Sequence, residues 1–452
     1  MNLTDQFVDG IYAFSKRNFS ENLQMHARKC LLDYLAATIA GAKEYFAVEE
    51  SFLDLPISTG NESTIIGHKK KSSPTVAALI NGISAHAVEL DDGQRFGNIH
   101  PGAPVISSIL AIGEVRNLNL NDIYKGILTG YESVLRLACS IQPGHKLKGF
   151  HATGPCGTIG ATMGIAAMLG FSREQFKASF SVACTSASGI LEMIEGDTQM
   201  MPYNAGKAAA NAVVAASVGY AGFKTPEDAL GGRRGFLHCF AENVKQDMLS
   251  VFDDELFCTT NYFKPYAACG HCHASIEAAL RIRERETISA DNIVKIDIQT
   301  YKLAIQGHDH TKIDGVHSAR MSIPYSAVVA LLRGSAGIED FSEKVIQDKK
   351  IIEAVSKVSV VENEKLTIQS PSKRMAIMNV YTSNGLISEK VDFPKGQPEN
   401  PLTMDDIINK FYECGRSAGI EDSRLKQIAD IVLCNGNHTI SELMNCLYSV
   451  NL

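Results

Sequence analysis

Residues 292–301, NIVKIDIQTY, decide the fold class of the chain. Apolar and polar side chains alternate through this stretch, which predicts a β-strand with one polar face. The pattern places Val294, Ile296 and Ile298 together on the apolar face. Few such alternating patterns occur earlier in the sequence, so the stretch marks a change from helices to a mixed α+β region.

Two more segments strengthen this prediction. Residues 357–361 and 374–382 are further strand candidates, and Asn384-Gly385 predicts a tight turn between paired strands. Glu399-Asn400-Pro401 then breaks the pattern, and Thr403 can begin a final series of helices.

The sequence before residue 266 predicts helices almost throughout. Ser20 can cap one helix, Ser73-Pro74 can open a second, and Ser172 with Gln175 forms a capping box for a third. Residues 205–223 are rich in Ala and Gly, which predicts a helix packed at close range against a neighbour.

We therefore predict a mainly α fold with an inserted α+β lid. Both chain ends, residues 1–266 and 399–452, form a large all-helical domain. Residues 267–398 form the smaller α+β domain between them.

Composition excludes several classes of protein. The chain has 452 residues, 45% of them apolar, and 43 Lys and Arg against 50 Asp and Glu give a net charge of −7. The sequence has no concentrated basic region, which argues against nucleic acid as a partner. It also has no apolar stretch long enough to predict a membrane span. The N-terminal MNLTDQFVDG has no signal-peptide pattern, and the eleven cysteines indicate buried thiols in a reducing compartment. We expect a cytoplasmic protein.

The first cluster of reactive side chains spans residues 86–102. It contains His86, Glu89, Asp91, Asp92 and His100, and a helix is expected to begin just after the second histidine. A helix N-terminus beside histidines suits an anionic ligand. The alternative is that the two aspartates are turn residues and that the second histidine only enters the helix.

Two further clusters are weaker by themselves. Residues 149–158 place His151 and two threonines at another helix start, without the spacing of a phosphate loop. Residues 263–273 contain Lys264, which can bind a carboxylate if it is partly desolvated, and the pair Cys269 and Cys272. Zinc is improbable here because no second C-x-x-C pair exists, and no metal is expected. The sequence His308-Asp309-His310 is interpreted as a solvated loop.

Together these residues suit one kind of chemistry. Histidines can abstract a proton from a carbon next to a carboxylate, and cationic groups can stabilise the resulting enediolate. The chain has no dinucleotide fingerprint, so no cofactor is expected.

The sequence resembles the MmgE/PrpD family. The resemblance rests on HAVELDDG (86–93), HPGAPV (100–105), GFHATGPCGTIGATMGIAAMLG (149–170), NAGKAAANAVVAA (204–216), FKPYAACGHCH (263–273) and HSARMSIPYSAVVALLRG (317–334). The family includes 2-methylcitrate dehydratase, cis-aconitate decarboxylase and iminodisuccinate epimerase. The resemblance implies a homodimer of two-domain chains and a cofactor-independent site between the domains. It also implies that His100, His151, Lys264 and Tyr325 act in the site.

Three positions differ from the cis-aconitate decarboxylase pattern. Glu89 stands in place of an aspartate, Gly93 in place of a threonine, and Met201 in place of a lysine. Losing a cation and a hydroxyl weakens binding of a tricarboxylate, unless Lys207 compensates.

We therefore expect a lyase that removes water from a 2-methylcitrate-like polycarboxylate. The alternatives are an epimerase of a substituted succinate, a cis-aconitate-type decarboxylase, and a non-catalytic dimeric scaffold. His100 or His151 would act as the base and the other as the acid, Lys264 would hold a carboxylate, Asp91 or Asp92 would orient a reacting group, and Tyr325 would help close the lid. Glu89, Asp92, Gly93, Lys207 and His273 are expected to bind the substrate.

Overall fold

The computed structural model describes residues 2–194, 198–250, 255–434, 438–450 and 452. The α-helices in this part of the chain are α1 (Leu3–Ser15), α2 (Glu21–Leu53), α3 (Pro74–Ala87), α4 (Gly102–Arg116), α5 (Leu120–Ile141), α6 (Gly144–Leu147), α7 (Pro155–Met168), α8 (Arg173–Ser186), α9 (Met200–Tyr220), α10 (Phe236–Phe240), α11 (His273–Arg285), α12 (Lys302–Ile305), α13 (Val316–Met321), α14 (Ile323–Arg333), α15 (Glu343–Ile346), α16 (Lys349–Ser356), α17 (Glu364–Thr367), α18 (Met404–Ser417), α19 (Asp422–Leu433) and α20 (Ile440–Tyr448). The strands are β1 (Ser63–Ile65), β2 (Lys70–Ser72), β3 (Ile293–Thr300), β4 (Val358–Glu362), β5 (Ala376–Thr382) and β6 (Gly385–Val391). Short 3₁₀ helices cover Leu191–Ile194, Gln246–Leu249 and Ile338–Phe341.

Side-chain caps fix the start of several helices, as the sequence predicts. The Ser20 hydroxyl accepts from the backbone N–H of Leu23, and Ser73 caps α3 ahead of Pro74. Ser172 and Gln175 form the predicted capping box of α8. Each cap satisfies backbone N–H groups that have no partner inside the helix.

The predicted close packing of the Ala- and Gly-rich segment is confirmed. Helix α9 packs against α3. A Cβ atom on Gly82 of α3 would lie only 2.7 Å from the Cα atom of Gly206 in α9. Only glycine fits there, because the two helix backbones are in direct contact.

The α+β part contains a four-stranded sheet with strand order β4-β3-β5-β6. Strand β4 runs parallel to β3, whereas the other neighbours are antiparallel. Helix α11 packs against β5 and β6. Thr382 pairs with Gly385 across the two-residue loop 383–384, so the predicted hairpin is confirmed one residue earlier than Asn384-Gly385 suggested.

One end of β3 departs from the predicted alternation. Ile296 and Ile298 are buried as expected, but Val294 is 65% exposed while Ile293 is buried. The register shifts between Ile293 and Lys295, which is a β-bulge. A bulge inserts one extra residue and reverses the facing of the side chains before it, so the prediction for Val294 was wrong.

The C-terminal helices return to the N-terminal half. Helices α18 and α19 pack against α2, and α20 packs against α4. Lys410 of α18 donates to Asp33 of α2 and to the carbonyl of Leu90, both at 2.6 Å. The mainly helical fold with a smaller α+β part is confirmed, while the boundaries at residues 266 and 398 stay predictions.

Among the described residues, helices that are both long and apolar enough to cross a lipid bilayer do not occur.

Candidate functional site

A small cavity lies between the helical part and the α+β part. The helical part contributes Glu89, Asn98, His100, Lys146, His151 and Met201 to its lining. The α+β part contributes Cys269, Gly270, His271, His308, Met321 and Arg374. The cavity has a volume of about 60 Å³, which is room for about two water molecules.

His100 reaches the cavity from the loop that connects α3 to α4. Its Nδ1 atom lies 2.8 Å from the carbonyl oxygen of Asp92. A carbonyl only accepts, so Nδ1 carries the proton and the neutral ring keeps a lone pair on Nε2. Burial and the nearby Lys264 ammonium lower the pKa of His100 to about 4. The ring is therefore a neutral base at pH 7.

Four charged side chains form a polar cluster under His100: His86, Glu89, Asp91 and Lys264. Lys264 Nζ donates to Glu89 Oε2 at 2.7 Å and lies 3.7 Å from Asp91 Oδ1. His86 Nδ1 donates to Asp91 Oδ2 at 2.7 Å. The cluster pairs two carboxylates with two cationic groups.

The pKa values in the polar cluster follow from this pairing. Burial opposes ionisation of the acids, but Lys264, His86 and His100 outweigh it for Glu89, whose pKa is held below its ordinary range. The same groups lower the pKa of Asp91 to about 2. Burial disfavours the charged form of His86 and of Lys264, yet the adjacent carboxylates raise both pKa values. Glu89, Asp91 and Lys264 are therefore ionised near neutral pH, and the adjacent carboxylates favour the charged form of His86.

The position of Lys264 does not fit the role expected from the sequence. The side chain is fully buried and its ammonium is satisfied by Glu89, so it lies behind the cavity wall. Glu89 itself lines the cavity and has a φ of 54°, a strained backbone conformation that turns the chain after α3. The expectation that Lys264 holds a substrate carboxylate does not match this placement, because Glu89 and Asp91 already neutralise it.

Asp92 and Gly93 support the site from behind. Asp92 accepts from the backbone N–H of Gly102, from the Tyr131 hydroxyl and from Asn261 Nδ2. Burial and the neighbouring carboxylates raise the pKa of Asp92 to about 7. Gly93 exchanges two backbone hydrogen bonds with Tyr262, and a Cβ atom there would collide with the Tyr262 hydroxyl. Both residues position others and lie outside the cavity lining.

His151 is oriented by a relay that begins at Lys207. Lys207 Nζ donates to Asn204 Oδ1 at 3.1 Å and to two oxygens of Ser188. An ammonium only donates, so the Asn204 oxygen faces Lys207 and its Nδ2 donates to His151 Nδ1 at 3.0 Å. The neutral His151 ring therefore carries its proton on Nε2. Burial, with the positive charge of His86 and His100, lowers the pKa of His151 well below its ordinary value.

His100 and His151 are thus brought together in opposite tautomers. The backbone N–H of His100 donates to the Thr153 hydroxyl, which ties the two loops to each other. The His86 ring contacts both, with its centroid 4.8 Å from that of His100 and 6.4 Å from that of His151. His100 can accept a proton at Nε2, and His151 carries an N–H donor at Nε2.

Two cavity residues have no signal in the sequence. Arg374 precedes β5 and is 5% exposed, and within the described residues it donates only a long 3.4 Å hydrogen bond, to the Tyr262 hydroxyl. Lys146 lies in α6, five residues before His151, and burial lowers its pKa. We call Arg374 and Lys146 the cationic pair. A single arginine or lysine in a sequence is normally a surface charge, so neither was predicted.

Cys269 and His308 form a second contact in the cavity. Cys269 Sγ lies 3.9 Å from His308 Nε2, while His308 Nδ1 donates to the Met321 carbonyl at 2.9 Å. Burial raises the pKa of Cys269, but His308 outweighs it and the pKa falls to about 7. The interpretation of residues 308–310 as solvated is wrong for His308, which is buried, whereas Asp309 is exposed.

Tyr325 and His273 lie away from the cavity lining. The Tyr325 hydroxyl donates to the carbonyl of Asp340 at 2.8 Å. His273 begins α11 and donates to the carbonyl of Ala268 at 3.1 Å, and burial lowers its pKa to about 3. These contacts hold the α+β part together and give neither residue a direct route to a ligand in the cavity.

His86, Asp91 and His100 bring potential metal-ligand atoms within 4.8 Å of one another. The His86–Asp91 contact is already a hydrogen bond, and the Lys264 ammonium stands next to Asp91. The positive charge that a metal would supply is therefore present as a lysine, and the arrangement fits a hydrogen-bonded cluster better.

Comparison with known proteins identifies relatives along nearly the whole chain. The MmgE/PrpD N-terminal domain matches residues 5–248, and the MmgE/PrpD C-terminal domain matches residues 266–434. Cis-aconitate decarboxylase of Aspergillus terreus (strain NIH 2624 / FGSC A1156) is 22% identical over 450 residues, which cover 93% of this chain and 91% of that protein. Cis-aconitate decarboxylase of Mus musculus is 23% identical over 425 residues, 90% of this chain and 86% of that protein. The two domain matches together cover most of the sequence, so the chain belongs to the MmgE/PrpD family.

Proposed function

We propose that the chain is a lyase that transfers a proton at a carbon next to a carboxylate group of a small polycarboxylate. One observation carries the proposal: His100 and His151 line one small cavity as neutral imidazoles with opposite tautomers. General acid–base catalysis needs this pairing of an acceptor and a donor within reach of one substrate.

The two histidines have different roles in the elimination. His100 Nε2 takes the proton from the carbon, and the electrons move into the adjacent carboxylate and then form a C=C bond. His151 Nε2–H donates a hydrogen bond to the departing hydroxyl group, which takes up the proton from the His100 imidazolium and leaves as water. A bound polycarboxylate brings negative charge next to both rings and raises their pKa values towards neutral pH, where proton exchange is efficient.

Elimination of water is the favoured reaction because of Glu89. Its Oε1 atom is buried and has no hydrogen-bond partner among the described residues, although the side chain lines the cavity. A substrate hydroxyl can donate to that oxygen, and such a donor satisfies an otherwise costly buried acceptor. This supports a hydroxy-polycarboxylate of the 2-methylcitrate class.

Decarboxylation is the second candidate, and the relatives favour it. The chain is similar over 90% or more of its length to proteins named cis-aconitate decarboxylase. Met201 counts against it, because this apolar side chain lines the cavity where the decarboxylase pattern has a lysine.

Proton NMR of the purified protein in D₂O separates these reactions. The panel holds 2-methylcitrate, citrate, cis-aconitate and iminodisuccinate. We expect new olefinic signals with loss of the hydroxy acid. Conversion of cis-aconitate with release of CO₂ would favour the second candidate, and deuterium exchange without a new alkene would indicate an epimerase. No change in any compound would refute the proposed function.

A further inference from the structure

Arg374 is a buried cation without a counter-ion. Its guanidinium stacks on the Tyr262 ring at 5.5 Å from the centroid and makes no ion pair within the described part of the chain. Arginine stays protonated in proteins, and burying an unpaired charge is costly. A protein keeps such a group when a ligand supplies the opposite charge.

Lys146 repeats the pattern from the helical part of the cavity lining. It is half-buried, and its ammonium makes no hydrogen bond or ion pair to the residues that the structure describes. Repulsion from Arg374 contributes to its lowered pKa, so the two cations act on each other. The cationic pair therefore creates a local excess of positive charge.

Gly270 keeps this region open. A Cβ atom at that position would lie 2.8 Å from Arg374 Nη1 and 2.7 Å from the Tyr262 hydroxyl. The absence of a side chain leaves the guanidinium accessible from the cavity that both residues line.

The Cys269 thiol is the nearby group that could supply a negative charge to the cationic pair. Its thiol is shared with His308, whose own pKa is raised by that contact. One thiolate next to a protonated histidine adds no net negative charge. The cationic pair is therefore not neutralised by the protein itself.

We propose that Arg374 and Lys146 form a carboxylate-binding subsite that joins the α+β part to the helical part. The inference rests on the proposed function, and it assigns the substrate's remote carboxylate to the cationic pair instead of Lys264. A di- or tricarboxylate then bridges the two parts of the chain while its reacting carbon faces His100 and His151.

Calorimetric titration with tricarballylate tests this subsite without turnover, because this tricarboxylate has no hydroxyl group to eliminate. We expect Arg374→Gln and Lys146→Met each to raise the dissociation constant at least about tenfold, the lower end of the range for lost hydrogen bonds to charged groups. The exposed Lys148→Met and the neighbouring Lys373→Gln remove the same charge and should bind within twofold of the natural protein.

Melting temperatures provide a second readout. Removing an uncompensated buried charge should leave the melting temperature of ligand-free Arg374→Gln unchanged or higher, while the increase caused by tricarballylate disappears. If Arg374→Gln does not fold, Gly270→Ala serves as the test instead. Its Cβ atom displaces the guanidinium and should weaken tricarballylate binding in the same way. Natural affinity in Lys146→Met and Gly270→Ala would overturn the subsite.

The subsite and the proposed function can fail separately. If no polycarboxylate is converted but tricarballylate binding depends on Arg374, the reaction is wrong and the subsite stands. If Arg374→Gln converts substrate with the natural KM, the subsite is wrong and the reaction stands.

Discussion

The polar cluster and the cationic pair both adjoin the cavity that His100 and His151 line, and they differ in whether their charges are paired. In the polar cluster, Lys264 and His86 are matched by Glu89 and Asp91 at hydrogen-bond or ion-pair distance. In the cationic pair, Arg374 and Lys146 have no carboxylate partner among the described residues. The charges of the first region are balanced within the folded chain, whereas those of the second are balanced only when an anion binds.

The largest expected effect comes from breaking the balanced region. Lys264→Met leaves Glu89 and Asp91 buried without their ammonium, so we expect the free energy of unfolding to fall by about 3–5 kcal/mol. Urea unfolding measures the loss, with Lys148→Met as the exposed control. The double variant Lys264→Met/Glu89→Gln should recover part of the stability. Natural stability with a raised KM would instead make Lys264 a substrate ligand.

The second prediction concerns His100 and its role as the base. Replacing it with alanine removes the base, and we expect kcat to fall at least about 100-fold while the melting temperature changes little. Steady-state kinetics on the substrate identified by NMR gives the value. The surface histidine variant His438→Ala is the matched control, and full activity in His100→Ala would remove His100 from the mechanism.

A smaller effect is expected at Asn204, which fixes the proton of His151. Asn204→Leu removes the donor to Nδ1, so the ring is free to adopt the other tautomer and kcat should fall about tenfold, the worth of one hydrogen bond to a reacting group. Nitrogen-15 NMR of the histidines should show the His151 proton shared between the two ring nitrogens. An unchanged tautomer would contradict the relay from Lys207.

The smallest expected effect concerns Cys269, next to the cationic pair. Its pKa is lowered to about 7, so its thiolate is populated as the pH rises through 7, below the usual range for a thiol. Mass spectrometry after brief iodoacetamide treatment should show the alkylation rate of Cys269 rising with a midpoint near pH 7. His308→Gln should move that midpoint upward, and tricarballylate should slow the reaction. An unchanged midpoint in the variant would exclude His308 as the cause.

Local signals in the sequence predicted much of the fold. Serine caps such as Ser20 and Ser172 satisfy backbone groups within four residues, so they work without knowledge of distant contacts. The same reasoning predicted β3 but was wrong for Val294, because a bulge depends on the partner strand β5 as well as on β3 itself.

Pairing between distant residues accounts for what the sequence missed in the site. Lys264 and Glu89 are 175 positions apart, and Lys264 was expected to hold a substrate carboxylate, whereas the fold pairs it with Glu89. Arg374 carried no local signal, since neither its neighbours nor its spacing differ from those of a surface residue. Three predicted residues, Glu89, His100 and His151, line the cavity, and the motifs of the two histidines also mark helix starts.

The sequence by itself determined the kinds of reactive side chain, the helical and mixed regions and the family resemblance, because caps, periodicity and motifs are properties of short segments. Only the tertiary structure decided which charges are satisfied internally and which remain for a ligand. Electrostatic energy depends on distance and burial, so the same lysine or arginine is a structural ion in one place and a binding group in another.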